Sequence, residues 1–91
     1  MELEKILEQA MKRGASDVHF SVGRPIMIRV DGALLEMNDE VLKPRDVEEA
    51  MLPILSESQR ETVARTGELD LAYSLQGIGR FRLNVFKQRG T

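Results

Sequence analysis

The chain has 91 residues, 42% of them hydrophobic and 31% charged, with a formal net charge of −2 and no cysteine. These values indicate one small folded domain, and they argue against a disordered segment, a broadly basic nucleic-acid-binding surface, and a disulfide or thiolate metal site. No apolar run approaches the roughly 20 residues of a membrane span, and a chain without cysteine suits a reducing cytoplasm.

The first predicted element is a helix over residues 2–13. Lys12 and Arg13 fall in its last turn, where the helix dipole favours cations. Gly14 follows, at the position where a left-handed residue commonly ends a helix. The apolar residues recur at the spacing that lines one helical face: Leu3, Ile6, Leu7, Ala10 and Met11.

Two-residue alternation then predicts strands. In residues 17–22, Val18, Phe20 and Val22 face one way and the polar residues between them face the other. A turn at residues 23–25 separates this strand from a second alternating segment. We therefore expect a first strand with one buried face and one polar face.

A hairpin joins the second and third strands. Asp31-Gly32 is the strongest hairpin signal in the chain, because a type I′ turn requires positive φ at both positions. Turn chemistry and hydrophobic pattern predict the same register. Three cross-strand pairs then share one face: Val30 with Ala33, Ile28 with Leu35 and Ile26 with Met37.

Two helices are predicted next. Pro44 suits the first helical position, and apolar residues at helical spacing follow it. Pro53 lies within this pattern and should bend or shorten the helix, because its nitrogen carries no hydrogen to donate. Ser56 and Gln59 form the pattern of a capping box that begins the second helix, and Gly67 should end it.

A second hairpin follows, in which apolar and polar residues alternate on both strands. We expect Leu75 to oppose Phe81 and Tyr73 to oppose Leu83 across a five-residue loop, since a four-residue loop would set leucines against arginines. The resulting order is α-βββ-αα-ββ. It favours an α+β fold, a mainly antiparallel sheet with helices packed on one face.

Three motifs occur along the chain: GASDVHF at residues 14–20, GRPIMIRVDG at 23–32 and GRFRLNVFKQRG at 79–90. In this order they resemble the N-terminal domain of the type IV pilus retraction ATPases, the PilT branch of the secretion ATPase superfamily. The resemblance covers nearly the whole chain and implies a PAS-like fold. The secretion and pilus-extension ATPases usually carry a Glu-Pro dipeptide after the first motif. This chain has Ser21-Val22-Gly23 instead, which favours the retraction branch.

The resemblance implies that residues 1–91 are a single N-terminal domain of a larger motor. The sequence contains no G-x-x-x-x-G-K-[ST] loop, the motif that cradles phosphates in P-loop ATPases. We therefore expect the C-terminal P-loop ATPase domain of the family to be absent from this chain. ATP and Mg²⁺ are expected as cofactors of the full-length parent, and the chain itself should have no catalytic residue, cofactor or metal.

Basic residues cluster near the end of the chain. Arg80, Arg82 and Asn84 share one face of the last predicted strand, and Arg89 lies close in sequence. Guanidinium groups at this density suit phosphate or carboxylate ligands. The resemblance implies that these four residues lie near the nucleotide in the assembled motor.

The acidic residues Glu68 and Asp70 share a face of the preceding strand. As a general acid and base they would need a cleft and two opposed environments, which nothing in the sequence indicates. They are better interpreted as a solvated face or as partners of the nearby basic residues. In that case the arginines would belong to an exposed, charge-balanced surface.

A second group of residues carries the family signature, and we expect its role to be structural. Asp17 and His19 stand two apart on one strand face, so a metal-ligand pair or a proton relay is the functional alternative. Two ligands do not make a metal site, and a hydrogen-bonded histidine that tethers the strand is the preferred interpretation. The group consists of Ser16, Asp17, His19, Asp31 and Gly32.

The resemblance also implies partners and a location. These are the chain's own and neighbouring ATPase domains in a homohexamer, and a pilus platform protein of the inner membrane, with the motor in the cytoplasm and peripheral to that membrane. The implied function is twitching motility, in which the domain moves with ATP hydrolysis. The few aromatic residues mostly face inward in the predicted strands and leave no stacking surface for nucleic acid. Two alternatives stay open: a stand-alone PAS-like ligand sensor and a dimerisation module.

Overall fold

The structure is a computed structural model that describes residues 2–87, and these form one sheet with helices on one of its faces. The element order confirms the predicted α-βββ-αα-ββ, and the first helix is one residue shorter at each end than predicted. In chain order the elements are α1 (Leu3–Lys12), β1 (Ala15–Ser21), β2 (Met27–Val30), β3 (Ala33–Glu36), α2 (Pro44–Met51), a 3₁₀ turn (Leu52–Ile54), α3 (Glu57–Thr66), β4 (Glu68–Leu75) and β5 (Gly79–Phe86).

β5 lies inside the sheet although it is the last strand in the described sequence. The strands are ordered β3-β2-β1-β5-β4. β1 and β5 run parallel, and the other neighbouring strands are antiparallel. The prediction of a mainly antiparallel α+β sheet is therefore confirmed, and the first and last strands lie side by side.

The core lies between the sheet and the helices. Apolar burial supplies the main stabilising term, because among residues 2–87 no polar or charged side chain is buried. The strands contribute alternate residues that are at most 2% exposed: Val18, Phe20, Ile28, Phe81, Leu83 and Val85. The helices contribute the apolar side chains that face the sheet, including Leu7, Ala10, Val47, Met51 and Val63.

The bend between α2 and α3 follows the local sequence. The α-helix ends at Met51 and a 3₁₀ turn follows it, as expected because Pro53 has no N–H to donate. Ser56 Oγ accepts the backbone N–H of Gln59 at 3.2 Å, and Gln59 Oε1 accepts the backbone N–H of Ser56 at 2.9 Å. This confirms the capping box, and α3 then ends at Gly67 as predicted.

Asp31 and Gly32 form the predicted turn between β2 and β3. Their φ values are +49° and +82°, as a type I′ turn requires. The register is the predicted one, and it extends to the N–H of Met37, which donates to the carbonyl of Ile26 at 2.8 Å. Arg29 Nη1 also donates to the carbonyl of Gly32 at 3.0 Å, so a side chain braces the turn.

The register predicted for the second hairpin is wrong. We expected Leu75 opposite Phe81, but Leu75 pairs with Gly79 and the loop has three residues instead of five. The N–H of Ile78 donates to the carbonyl of Leu75 at 3.0 Å, and Gly77 supplies the positive φ of +82° that this tight turn needs. Since alternation repeats every two residues, a shift of two keeps every side chain on its predicted face and changes only its neighbours.

We predict that Gly32→Val destabilises the domain by about 1–3 kcal/mol. A Cβ at this position would meet no heavy atom within 4 Å, so the cost comes from forcing a β-branched residue to a φ of +82° rather than from a clash. Urea denaturation measures it. Ala33→Val adds methyl groups to the next residue, which is exposed and in a strand, and should change stability by less than about 0.5 kcal/mol. Equal stability of the two variants would contradict the turn assignment.

Candidate functional site

The face of the sheet opposite the helices carries most of the predicted site residues, and we call it the open face. It is formed by the outward side chains of β1, β5 and β4, which are exposed or half-buried. Two rows of side chains cross it. Strand pairing makes one row of Asp17, Arg82 and Ala72, and the next of His19, Asn84 and Asp70.

Arg82 is held by Asp70 of the neighbouring strand β4. Nε of Arg82 lies 3.0 Å from Oδ1 and 3.2 Å from Oδ2, and Nη2 lies 2.5 Å from Oδ2. The hydrogen bonds from Arg82 lower the pKa of Asp70, and the same contact raises the pKa of Arg82. The side chains remain 64% and 48% exposed, respectively, so the pair lies at the surface and stays available to a ligand.

The structure brings together three of the four residues predicted to lie near a nucleotide. Arg80 and Arg82 project from the open face of β5 and are exposed, and Asn84 follows them, half-buried. Among residues 2–87 no side chain pairs with Arg80. Arg89 lies outside the described residues. The two described arginines therefore project from one face of the same strand, an arrangement that suits phosphate or carboxylate.

Lys87 belongs to the other side of the sheet. Its Nζ lies 2.9 Å from Oε2 of Glu48 on α2. The sequence places Lys87 on the face opposite the arginines, and this contact with a helix agrees with that placement. Lys87 therefore does not add to the positive charge that Arg80 and Arg82 give to the open face.

Four of the five signature residues take part in local structure. Ser16 Oγ donates to Asp17 Oδ1 at 2.6 Å, and Asp31 and Gly32 form the hairpin turn. No group of three or more potential metal ligands occurs among residues 2–87. The guanidinium groups of the open face are donors that suit an anion.

His19 differs from the expectation of a hydrogen-bonded tether. Its Nε2 is shielded from solvent and has no hydrogen-bond partner among the described residues. One strand neighbour is Met27, which carries no strong donor or acceptor, and the other is Asn84. Burial lowers the pKa of His19 below 6.5; nearby Asp17 opposes this shift, and Arg29 adds to it. Burial thus disfavours the charged form of the imidazole.

Within residues 2–87, no helix has both the length and the apolar composition needed to cross a membrane. No family model matches the chain.

Individual proteins do match it over nearly its whole length. The type IV pilus ATPase PilU of Pseudomonas aeruginosa is 36% identical over 98% of this chain. The type IV pilus retraction ATPase PilT of the same organism is 36% identical over 97% of it. The chain spans only 23% and 26% of these two relatives, so it corresponds to about a quarter of each.

Solved structures agree with the sequence matches. The crystal structure of the pilus retraction motor PilT with bound ADP superposes on 100% of this chain with a TM-score of 0.77 and 30% identity, and the chain covers 27% of it. The Legionella pneumophila ATPase DotB superposes on 89% of this chain with a TM-score of 0.70, and the chain covers 22% of it. At 24% identity, the DotB likeness supports the fold alone.

We predict that acidification below about pH 6.5 destabilises this domain more than its His19→Gln variant. The unfolded histidine binds a proton near its ordinary pKa of 6.5, whereas the folded protein resists protonation because its pKa is lowered. The histidine's contribution to stability is therefore complete above pH 6.5 and is lost as pH falls toward the lower pKa. Urea denaturation of both proteins between pH 7.5 and 5.5 measures the difference. If the stability of both proteins changed with pH in the same way, the lowered pKa of a half-buried His19 would be contradicted.

Proposed function

The chain belongs to the PilT-like type IV pilus ATPases, and on that premise we propose that it is the non-catalytic N-terminal domain of a hexameric, ATP-driven motor that retracts type IV pili. The observation that carries the proposal is the extent of the similarity. It covers nearly the entire chain, both in sequence identity to two pilus ATPases and in superposition on the PilT structure. The function served would be twitching motility.

The parent protein would supply the catalytic part. Because the chain spans about a quarter of each relative, a P-loop ATPase domain that binds ATP and Mg²⁺ would follow it in the parent. Sequencing the gene beyond codon 91 tests this directly. A Walker A motif in the same reading frame would support the motor, and a stop codon directly after codon 91 would overturn it.

Within the motor, the open face would meet the nucleotide. Arg80 and Arg82 are exposed and lie on the opposite side of β5 from its buried residues, so the core does not need them. A strand holds a guanidinium more precisely than a loop does, and positive charge near the phosphates stabilises the transition state of phosphoryl transfer. The contacts would be with the chain's own and neighbouring ATPase domains in a cytoplasmic homohexamer. A platform protein at the inner membrane would receive the motion.

A stand-alone ligand sensor is less well supported. Such a site needs a pocket in which a few polar groups converge. The buried side chains of residues 2–87 are all apolar, and they belong to one packed cluster. For a dimerisation module, a tight and specific dimer in size-exclusion chromatography with light scattering would be the distinguishing result.

The 91-residue chain should hydrolyse no ATP. Phosphoryl transfer needs a phosphate cradle and a metal ion held beside it, and the proposal assigns both to the ATPase domain of the parent. Phosphate release by the purified chain, with and without Mg²⁺, measures this. Turnover above the blank that follows the protein peak through chromatography would contradict the proposal.

In the full-length parent, Arg82→Ala should reduce ATP turnover by at least about tenfold, because a cation near the phosphates is lost. Arg82→Lys should restore activity only in part if the contact is bidentate. The same Arg82→Ala change in the 91-residue chain should leave the melting temperature nearly unchanged, since the side chain is exposed.

Arg65→Ala is the matched control, because Arg65 is exposed on α3 and lies off the open face. It should affect neither turnover nor melting. The proposal for the arginines fails if the 91-residue chain unfolds on Arg82→Ala, or if a parent lacking both Arg80 and Arg82 retains normal turnover and motility.

A further inference from the structure

Asp70 holds Arg82 by one edge of its guanidinium. The hydrogen bonds come from Nε and Nη2, at 2.5 to 3.2 Å from the carboxylate oxygens. A guanidinium presents five N–H groups in a planar fork, and Nε and Nη2 share one edge of it. Among residues 2–87, Nη1 has no hydrogen-bond partner. The outer edge of the Arg82 fork is therefore free while the inner edge is fixed.

Arg82 lies between two carboxylates and is bonded to only one. Asp17 is its direct neighbour on β1, but the Oδ1 of that residue already accepts Ser16 Oγ at 2.6 Å. On the other side, the direct neighbour of Arg82 on β4 is Ala72, and Asp70 lies one pair further along. The small side chain of Ala72 leaves space for the guanidinium to reach Asp70. The head of Arg82 is thereby drawn toward β4.

This displacement places Arg82 at the border of a shallow depression that it shares with Arg80. The depression has a volume of about 490 Å³, and one carboxylate and two guanidiniums border it. Because Arg80 has no partner among residues 2–87, the depression has an excess of positive charge and suits a ligand with several anionic oxygens. Its lining residues are Asp70, Leu71, Ala72, Arg80, Phe81 and Arg82.

We infer that Asp70 is a positioning residue, which orients Arg82 so that its free edge and Arg80 bind one di- or triphosphate chain in this depression. The inference rests on the proposed function, which places the arginines near a nucleotide. It adds the residue that organises the two arginines.

Asp70 has two opposite effects on such a ligand. Its negative charge repels the phosphates, but only weakly, because the group is exposed and salt screens it. Its hydrogen bonds order the long side chain of Arg82 before the ligand binds. Without them, phosphate binding should weaken about threefold to tenfold. The positioning effect should therefore exceed the charge effect. Removing the Asp70 carboxylate should weaken phosphate binding if positioning dominates, and strengthen it if charge repulsion dominates.

The experiment titrates the ¹⁵N-labelled 91-residue chain with inorganic tripolyphosphate and follows the arginine Nε–Hε resonances by NMR. The signals of Arg80 and Arg82 should shift together with a single dissociation constant. Asp70→Asn should raise that constant about threefold to tenfold. It should also speed hydrogen exchange at the Arg82 Nε in the absence of ligand, because the hydrogen bonds that protect it weaken.

Two variants isolate the positioning effect. Glu68→Gln removes the same charge from the open face of β4, two residues away and without a contact to Arg82, so it should bind as tightly as the wild type or up to about twofold tighter. Asp70→Glu keeps the charge but displaces the carboxylate, and should bind more weakly than the wild type. The inference is overturned if Asp70→Asn binds as tightly as the wild type or tighter. It is also overturned if the two arginine signals do not respond together.

Failure of the proposed function would look different. A parent gene without a P-loop, or a parent indifferent to Arg82→Ala, would leave a positive titration intact. If tripolyphosphate does not bind, the phosphate site is contradicted. The motor proposal would then still be tested by the gene sequence and the turnover assay.

Discussion

The parallel pairing of β1 with β5 is the contact on which the rest of this structure depends. It joins a strand near the start of the described chain to the last one, and it aligns Val18 with Leu83 and Phe20 with Val85. All four side chains are at most 1% exposed. Without this pairing the sheet would divide into a three-stranded unit, β1–β3, and a two-stranded hairpin, β4–β5, and a two-stranded hairpin by itself is marginal in water. The cost of closing the long loop between β1 and β5 is offset by the burial that the pairing allows.

The same pairing determines what the open face can do. Phe81, Leu83 and Val85 anchor β5 in the core, and the residues between them must then face outward. A slip of one residue would bury the arginines and expose the core side chains, so the position of the arginines is as strongly determined as the core itself. The backbone positions of the arginines are therefore fixed by the core, and only the guanidinium groups at the ends of the side chains must still be oriented.

Ion pairing balances only part of the charge on the open face. Arg82 lies between Asp17 and Asp70 and bonds the second, and His19 lies in the adjacent row. Asp17 accepts a hydrogen bond from Ser16, and Arg82 bonds Asp70. The open face therefore combines one restrained and one unpaired arginine among residues 2–87. That is an arrangement suited to an anion with more than one charged oxygen.

Local sequence determined most of the secondary structure, and tertiary contacts decided the site. The turn at Asp31-Gly32, the capping box at Ser56 and the early end of α2 each depend on the chemistry of a few adjacent residues, so the sequence alone predicts them. The faces of β4 and β5 were equally predictable, because alternation has a period of two.

What the sequence left undetermined is which residues become neighbours. The predicted register of the last hairpin puts Ser74 opposite Arg82, whereas the observed three-residue loop puts Ala72 there and brings Asp70 within reach. Both registers satisfy the same hydrophobic pattern, so alternation cannot distinguish them. The placement of β5 beside β1 is a contact between distant parts of the chain, and no local signal encodes it. The turns, caps and strand faces are therefore predictable, because adjacent residues determine them. The ion pair, the shielded Nε2 of His19 and the depression between the arginines arise only when separate strands pack together.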